Sequence, residues 1–206
     1  MPAAGRSRTY DPVVMSHAHV AEVVAGYLAR NPTEADRLAP LTGALAAKAG
    51  PDIVSRKTFV PGHVTASAVV LDPAGRMLHI RHNVFNRWLQ PGGHLEPGDT
   101  TLLGAARREV EEETGIPSHL LTLADETPCD VGVHAIAANP ARSEAAHHHF
   151  DVRYLFTTVT EPATRMRADE VHGIAWLPPD EVEQDFRQKV RAWATGTSPA
   201  GGVGRA

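Results

Sequence analysis

Residues Gly92 to Ile116 read GGHLEPGDTTLLGAARREVEEETGI, and the reading of this stretch decides the fold. Thr101 to Thr114 has the signals of a helix. Asp99 or Thr100 is placed to cap its start, and Gly115 stands where a helix ends. Inside it, Glu109, Glu111, Glu112 and Glu113 crowd into about one turn. Glu109 and Glu113 are like charges at i,i+4, which costs a few tenths of a kcal/mol. Acids near a helix C-terminus also oppose the macrodipole. Local rules broken this consistently point to function. At about 100° per residue, Glu109, Glu112 and Glu113 share one face roughly 100° wide, and Glu111 falls on the far side. Leu103, Ala106, Val110 and Thr114 form an apolar stripe beside the acidic face, so the three acids are expected at a cleft edge.

Carboxylate oxygens are hard ligands suited to Mg²⁺ or Mn²⁺. A divalent ion held there with substrate phosphate implies metal-assisted attack of water on phosphorus. Taken alone, EVEEE is equally a solvated helix surface. Its context argues otherwise. The segment resembles the Nudix box: a glycine, five residues, an acid, seven residues, then Arg-Glu-apolar-x-Glu-Glu-x-Gly-apolar. Arg108 to Ile116 follows the helical half throughout. The first half departs twice, with Asp99 in place of Glu and eight residues rather than seven before Arg108.

The resemblance runs from about His63 to Val190. It implies a Nudix-like α/β/α sandwich with a mixed sheet, and hydrolysis of a nucleoside diphosphate linked to another moiety. It further implies Glu109, Glu112 and Glu113 as ligands of Mg²⁺ (or Mn²⁺), Arg108 as the residue orienting them, and Gly93 as a backbone carbonyl ligand. Glu109 and Glu170 are the two candidates for general base. No function is carried onto Asp99. A non-catalytic nucleotide-sensing module on the same fold is the alternative, and a diphosphate-dependent isomerase a third.

Outward from the box, HVTASAVVLDPAGRMLHIRH reads as strand, Asp72–Gly75 turn and strand. LLTL, VGVHAIA, FDVRYLFTTV and IAWL read as further strands, and Pro179 to Thr195 as a last helix. Leu78 and Ile80 are expected on one face of their strand, His79 and Arg81 on the other. In HHHFDVRYLF, alternation places His147, His149, Asp151 and Arg153 on one side and Phe150, Val152, Tyr154 and Phe156 on the core side. The polar row either binds substrate phosphate and guides a proton, or faces solvent as half of an antiparallel sheet. A zinc site using His147 and His149 is a further option, with no additional ligand marked. Arg81, Arg87 and His82 are placed to meet a phosphate, and Arg81 joins the candidate substrate-binding set.

His17 to Arg30 has helical spacing of Val20, Val23, Val24, Tyr27 and Leu28. Asn31-Pro32 opens another helix, with Glu34 as its capping-box acid; Pro40 breaks or kinks it, and Leu41 to Lys48 reads as a further short helix. These N-terminal helices either cap the fold or form a homodimer contact. The expected division is a helical extension over 1–60, the hydrolase domain over 61–195 and a flexible tail over 196–206.

The bulk composition fits one soluble domain. The chain has 206 residues, 42% hydrophobic and 21% charged, enough for a real core. A net charge of -4 gives no general attraction to nucleic acid or anionic membrane. No apolar run reaches membrane-spanning length, and MPAAGRSRTYDPVV lacks a signal-peptide core. Cys129 is the only cysteine, which suits a reducing cytoplasm. A small-molecule diphosphate is the expected partner.

Overall fold

The computed structural model describes residues 15–47, 50–83, 86–166, 171–179 and 187–194. Eight strands form one mixed sheet: β1 (Gly62–Leu71), β2 (Met77–His82), β3 (Trp88–Leu89), β4 (Gly92–His94), β5 (Thr122–Leu123), β6 (Asp130–Ile136), β7 (His147–Thr157) and β8 (Val171–Leu177). The path β3-β2-β1-β7-β5 is extended by β4 on β1, β6 on β7 and β8 on β2. The helices are α1 (His17–Arg30), α2 (Ala39–Ala46), α3 (Leu102–Thr114) and α4 (Arg187–Ala194).

β1 and β7 are parallel and in register from Gly62↔His148 to Leu71↔Thr157. Both are buried along most of their length, as central strands are. On one face Val64, Ala66, Ala68 and Val70 of β1 and Phe150, Val152, Tyr154 and Phe156 of β7 are buried. They pack with Leu102, Ala105, Ala106 and Val110 of α3 and with Val20, Val24, Tyr27 and Leu41 from α1 and α2. On the other face Val69, Leu71, Met77 and Leu155 pack against Val190 of α4. The sheet thus lies between helical layers.

The polar row of β7 does not face solvent. His147, Asp151 and Arg153 are buried and His149 is half-buried. β7 is interior because β1 flanks it on one side and β6 and β5 on the other. In β2, Leu78 and Ile80 are buried as expected, but His79 is buried too, and Arg81 is exposed. The cap of α3 is Thr101 rather than Asp99 or Thr100: its hydroxyl accepts from the Gly104 N–H at 3.0 Å. Gly115 ends the helix in the left-handed conformation at φ 70.

The N-terminal segment differs in detail from its expectation. Pro32–Glu34 is a single 3₁₀ turn in which Asn31 makes no side-chain cap. The short helix expected over Leu41–Lys48 is α2, Ala39–Ala46, with Pro40 in its first turn, where the missing N–H is harmless. α1 and α2 share the main core with the sheet. Glu34 forms ion pairs with Arg37 and Lys189 and accepts from the Tyr27 hydroxyl at 2.6 Å. Lys189 also pairs with Asp130 of β6. α1 and α4 are thereby tied together around the β6 edge. No described helix is long and apolar enough to cross a membrane.

Tyr27 is fully buried, so Tyr27→Ala should cost about 3–5 kcal/mol. Tyr27→Phe, which removes only the hydroxyl, should cost about 1–3 kcal/mol. Urea denaturation followed by circular dichroism would read both. A separate early transition confined to the N-terminal helices would contradict their integration in the core.

Candidate active site

Arg108 organises the acidic helix. Its Nε and one terminal nitrogen donate to the two oxygens of Asp99, both at 3.0 Å. The same terminal nitrogen donates to the His94 carbonyl at 3.0 Å. The other donates to Glu109 at 2.9 Å and Glu112 at 2.8 Å. Burial opposes the guanidinium charge, but Asp99, Glu109 and Glu112 more than offset it and raise the Arg108 pKa. Asp99 is buried and also accepts from the Glu96 N–H at 2.8 Å. It therefore fixes the loop that enters α3 to the arginine that positions the acids. The sequence offered only its place after GGHLEPG as a signal.

The helical phase sorts the four glutamates. Glu109 and Glu113 are buried against the sheet, and the Glu112 side chain is 34% exposed. Glu113 accepts from the Gly92 N–H at 3.0 Å. A Cβ on Gly93 would stand 2.7 Å from Glu109 Oε1, so only glycine lets that carboxylate approach the β4 backbone. Glu111 is exposed on the far side, where it accepts from Ser118 N–H and hydroxyl at 3.3 and 2.7 Å. Arg108 offers one positive charge to three acids, and this oxygen-rich set fits a hard divalent cation.

Across β4 from the acids lies a cleft of about 840 Å³. Its floor is a polar face built by strand register. His134, His149 and His63 align across β6, β7 and β1. Gly132, Asp151, Thr65 and His94 form the next rung, reaching β4, and Asp130, Arg153, Ser67 and Gly92 the third. Asp151 accepts from Thr65 at 3.1 Å, Ser67 at 2.8 Å, Gln90 at 3.2 Å and Arg153 at 2.9 Å. Burial alone would raise its pKa, but Arg153 and these hydroxyls hold it below the usual carboxylate range.

The remaining expected residues are not all brought together. Arg153, 3% exposed, donates to Asp151, to Asp130 at 2.7 Å and to His134. Its guanidinium is thus committed to the cleft floor. Arg81 is exposed, donates to Asn86 at 3.1 Å and does not line the cleft. Arg87 and His82 do line it, with Arg56 and Arg142, two arginines that no motif or periodicity singles out. Glu170 lies outside the described residues.

At one end of the cleft, His63, His94, His147 and His149 cluster with ring centroids 4.7–5.1 Å apart. Burial, then the neighbouring imidazoles, lowers His149 to about 3. Burial, then Arg56, lowers His94 to about 4. The His94 and His149 rings are neutral near neutral pH.

Residues 61–196 match the family model described as the NUDIX domain. The chain belongs to the Nudix family. Among curated relatives, "Phosphatase NudJ" of Escherichia coli (strain K12) is 41% identical over 76 residues, which cover 32% of this chain and 48% of the relative. The protein of the same name from Shigella flexneri has the same figures. The chain therefore spans about half the length of these relatives. Two solved structures share the Nudix fold. An Escherichia coli dihydroneopterin triphosphate pyrophosphohydrolase has TM-score 0.52 and 21% identity, covering 65% of this chain and 95% of its own. A C. elegans Ap4A hydrolase binary complex has TM-score 0.51 and 18% identity, covering 65% and 96%.

Removing the Arg108 charge strands partly buried carboxylates, so Arg108→Met should cost about 3 kcal/mol. Arg153→Met, at a more buried site with two carboxylates, should cost about 3–5 kcal/mol. Glu111→Gln should stay within about 0.5 kcal/mol of the parent. Denaturant melts would test the order. A loss for Glu111→Gln matching that for Arg108→Met would refute this division of the helix.

Proposed function

We propose that this Nudix protein is a pyrophosphohydrolase acting on a nucleoside diphosphate linked to another moiety, or on a similar diphosphate. The observation that carries this reading is the Glu109, Glu112 and Glu113 face, held by Arg108 against Gly92 and Gly93 beside an arginine-rimmed cleft. Those three glutamates, with the Gly93 carbonyl, would hold Mg²⁺ or Mn²⁺. The ion would supply positive charge to the diphosphate oxygens and acidify a water molecule.

The protein's own groups do the rest. Arg108 holds Glu109 and Glu112 in place through its fork of donors, so the acids need no rearrangement when the substrate arrives. Arg56, Arg87 and Arg142 at the cleft attract and orient the anionic end of the substrate. Asp151 and Arg153 keep the floor rigid. Glu109 is the described candidate for taking the proton from the attacking water. Glu170 is the other candidate.

Incubation with Mg²⁺ and a panel of nucleotide sugars, ADP-ribose, dinucleoside polyphosphates and nucleoside triphosphates, with product identification, tests the reading. Glu112→Gln and Glu113→Gln should each lower kcat at least about 100-fold, with Glu111→Gln close to the parent. Arg142→Gln should raise KM by roughly tenfold, the equivalent of about 1.4 kcal/mol. Added Mg²⁺ should raise the melting temperature and a chelator should reverse it. Retained nucleotide binding without turnover of any panel member would favour the sensing module instead.

A further inference from the structure

We propose that His63, His147 and His149 form a second metal site, for a divalent transition ion of the zinc class, at the end of the cleft beside the carboxylate set. One nitrogen from each of the three rings falls in a group whose members all lie within 4.8 Å of one another. Residue His63 comes from β1 and the other two from β7, and the parallel register sets His63 directly beside His149.

The hydrogen bonds behind the rings fix where the lone pairs point. A carbonyl oxygen only accepts, so the ring nitrogen facing it must carry the proton. Nδ1 of His63 donates to the Thr58 carbonyl at 2.9 Å. Nδ1 of His147 donates to the Ala145 carbonyl at 2.7 Å. In the neutral rings, Nε2 of both is then a bare acceptor. This is the arrangement of metal-ligating histidines, whose outer N–H groups are held by carbonyls or carboxylates.

One observation shows that the cluster is not satisfied by itself. His63 is 1% exposed, and its Nε2 has no hydrogen-bond partner among the described residues. A buried acceptor without a donor costs about 1–3 kcal/mol. Because the His147 proton sits on Nδ1, Nε2 of His149 donates to Nε2 of His147 at 3.2 Å. That is about the nitrogen–nitrogen edge of a tetrahedron with metal–nitrogen bonds of about 2.0–2.1 Å. The third nitrogen needs to move in by at most about 1.5 Å on the same geometry, within reach of side-chain rotation.

Protonation does not resolve the conflict well, because it would accumulate cations among rings 4.7–5.0 Å apart. A metal ion accepts all the lone pairs at once. Imidazole nitrogens suit Zn²⁺, Co²⁺, Ni²⁺ or Cu²⁺, whereas Mg²⁺ prefers oxygen. The His94 ring, 5.1 Å from both His63 and His149, closes one side of the group. All four rings line the cleft. Three histidines with the remaining position turned to a cleft match an open site that takes water or a substrate atom, rather than a closed structural one. This site stands independently of the hydrolase reading.

The experiment uses the full chain, stripped with chelator and returned to excess Mg²⁺ so that the carboxylates are occupied. Titration with Zn²⁺ against a chromophoric chelator should show about one tightly bound ion per chain, and Co²⁺ should give the intense visible bands of a low-coordinate nitrogen site. X-ray absorption of the Zn²⁺ form should show imidazole scattering at about 2.0–2.1 Å. His147→Gln and His149→Ala should each weaken Zn²⁺ binding at least about tenfold. His148→Ala, on the exposed opposite side of the same strand, and Glu112→Gln should not. Circular dichroism checks that each variant is folded, and the wild-type Co²⁺ and X-ray spectra do not depend on any variant. Absence of stoichiometric Zn²⁺ binding by the wild-type chain would overturn the proposal. So would binding that survives His149→Ala but is lost in Glu112→Gln, or a Zn²⁺ shell made of oxygen.

Discussion

The parallel pairing of β1 with β7 is the constraint on which the rest of the molecule depends. Its ten matched positions are far apart in sequence, so their closure is costly in chain entropy and has to be offset by burial on both faces. The even-numbered residues meet that cost on one side with Val64, Ala66, Ala68, Phe150, Val152 and Phe156. The odd-numbered residues divide. Toward one end they are apolar and meet α4; toward the other they are His63, Thr65 and Ser67 beside His149, Asp151 and Arg153. A one-residue slip in this register would send the polar row into the hydrophobic core. The cleft floor and the core are consequently specified by the same ladder.

Arg108 does for the acidic helix what the ladder does for the floor. A carboxylate face on α3 alone would repel itself and turn to solvent. The Arg108 fork instead joins the loop through Asp99, the strand through the His94 carbonyl, and the helix through Glu109 and Glu112. Three elements meet at one guanidinium, whose planar geometry a lysine could not reproduce. The absent side chains of Gly92 and Gly93 complete the junction, since a Cβ on Gly92 would come within 2.2 Å of Ser67 Cβ. The glycines of the box thus bring β4 close to both β1 and the acids.

What was legible in the sequence was what is local. The phase of Glu109, Glu112 and Glu113 against Glu111 follows from helix geometry alone, and Glu111 does turn away to Ser118. The alternation along β7 was also readable, because it needs only period two. Whether that polar face was wet was not readable, since this depends on β1 and β6 lying on either side. The strand β4 escaped notice because a three-residue segment, two of them glycine, has no pattern to show. Asp99 was left without a role because its partner, Arg108, is nine residues away and the contact runs across a loop. Arg56, in a turn, and Arg142, ending a 3₁₀ turn over Pro140–Arg142, belong to no periodic segment and are brought to the cleft by the fold. The helix after Pro40 is legible to within two residues, because proline ends one helix and begins another with equal ease.

The two donor sets lie on either side of one short strand, and their chemistry keeps them apart. Gly93 presents backbone to Glu109, while the next residue, His94, carries a ring into the imidazole group. Carboxylate oxygens suit a hard ion, and imidazole nitrogens suit a borderline one. Selectivity between ions would then follow from the donor type on each side of β4 rather than from affinity, which on its own would favour the later transition metals at any site. A substrate lying across β4 would place its diphosphate against the acids and its other end among the histidines and arginines of the cleft.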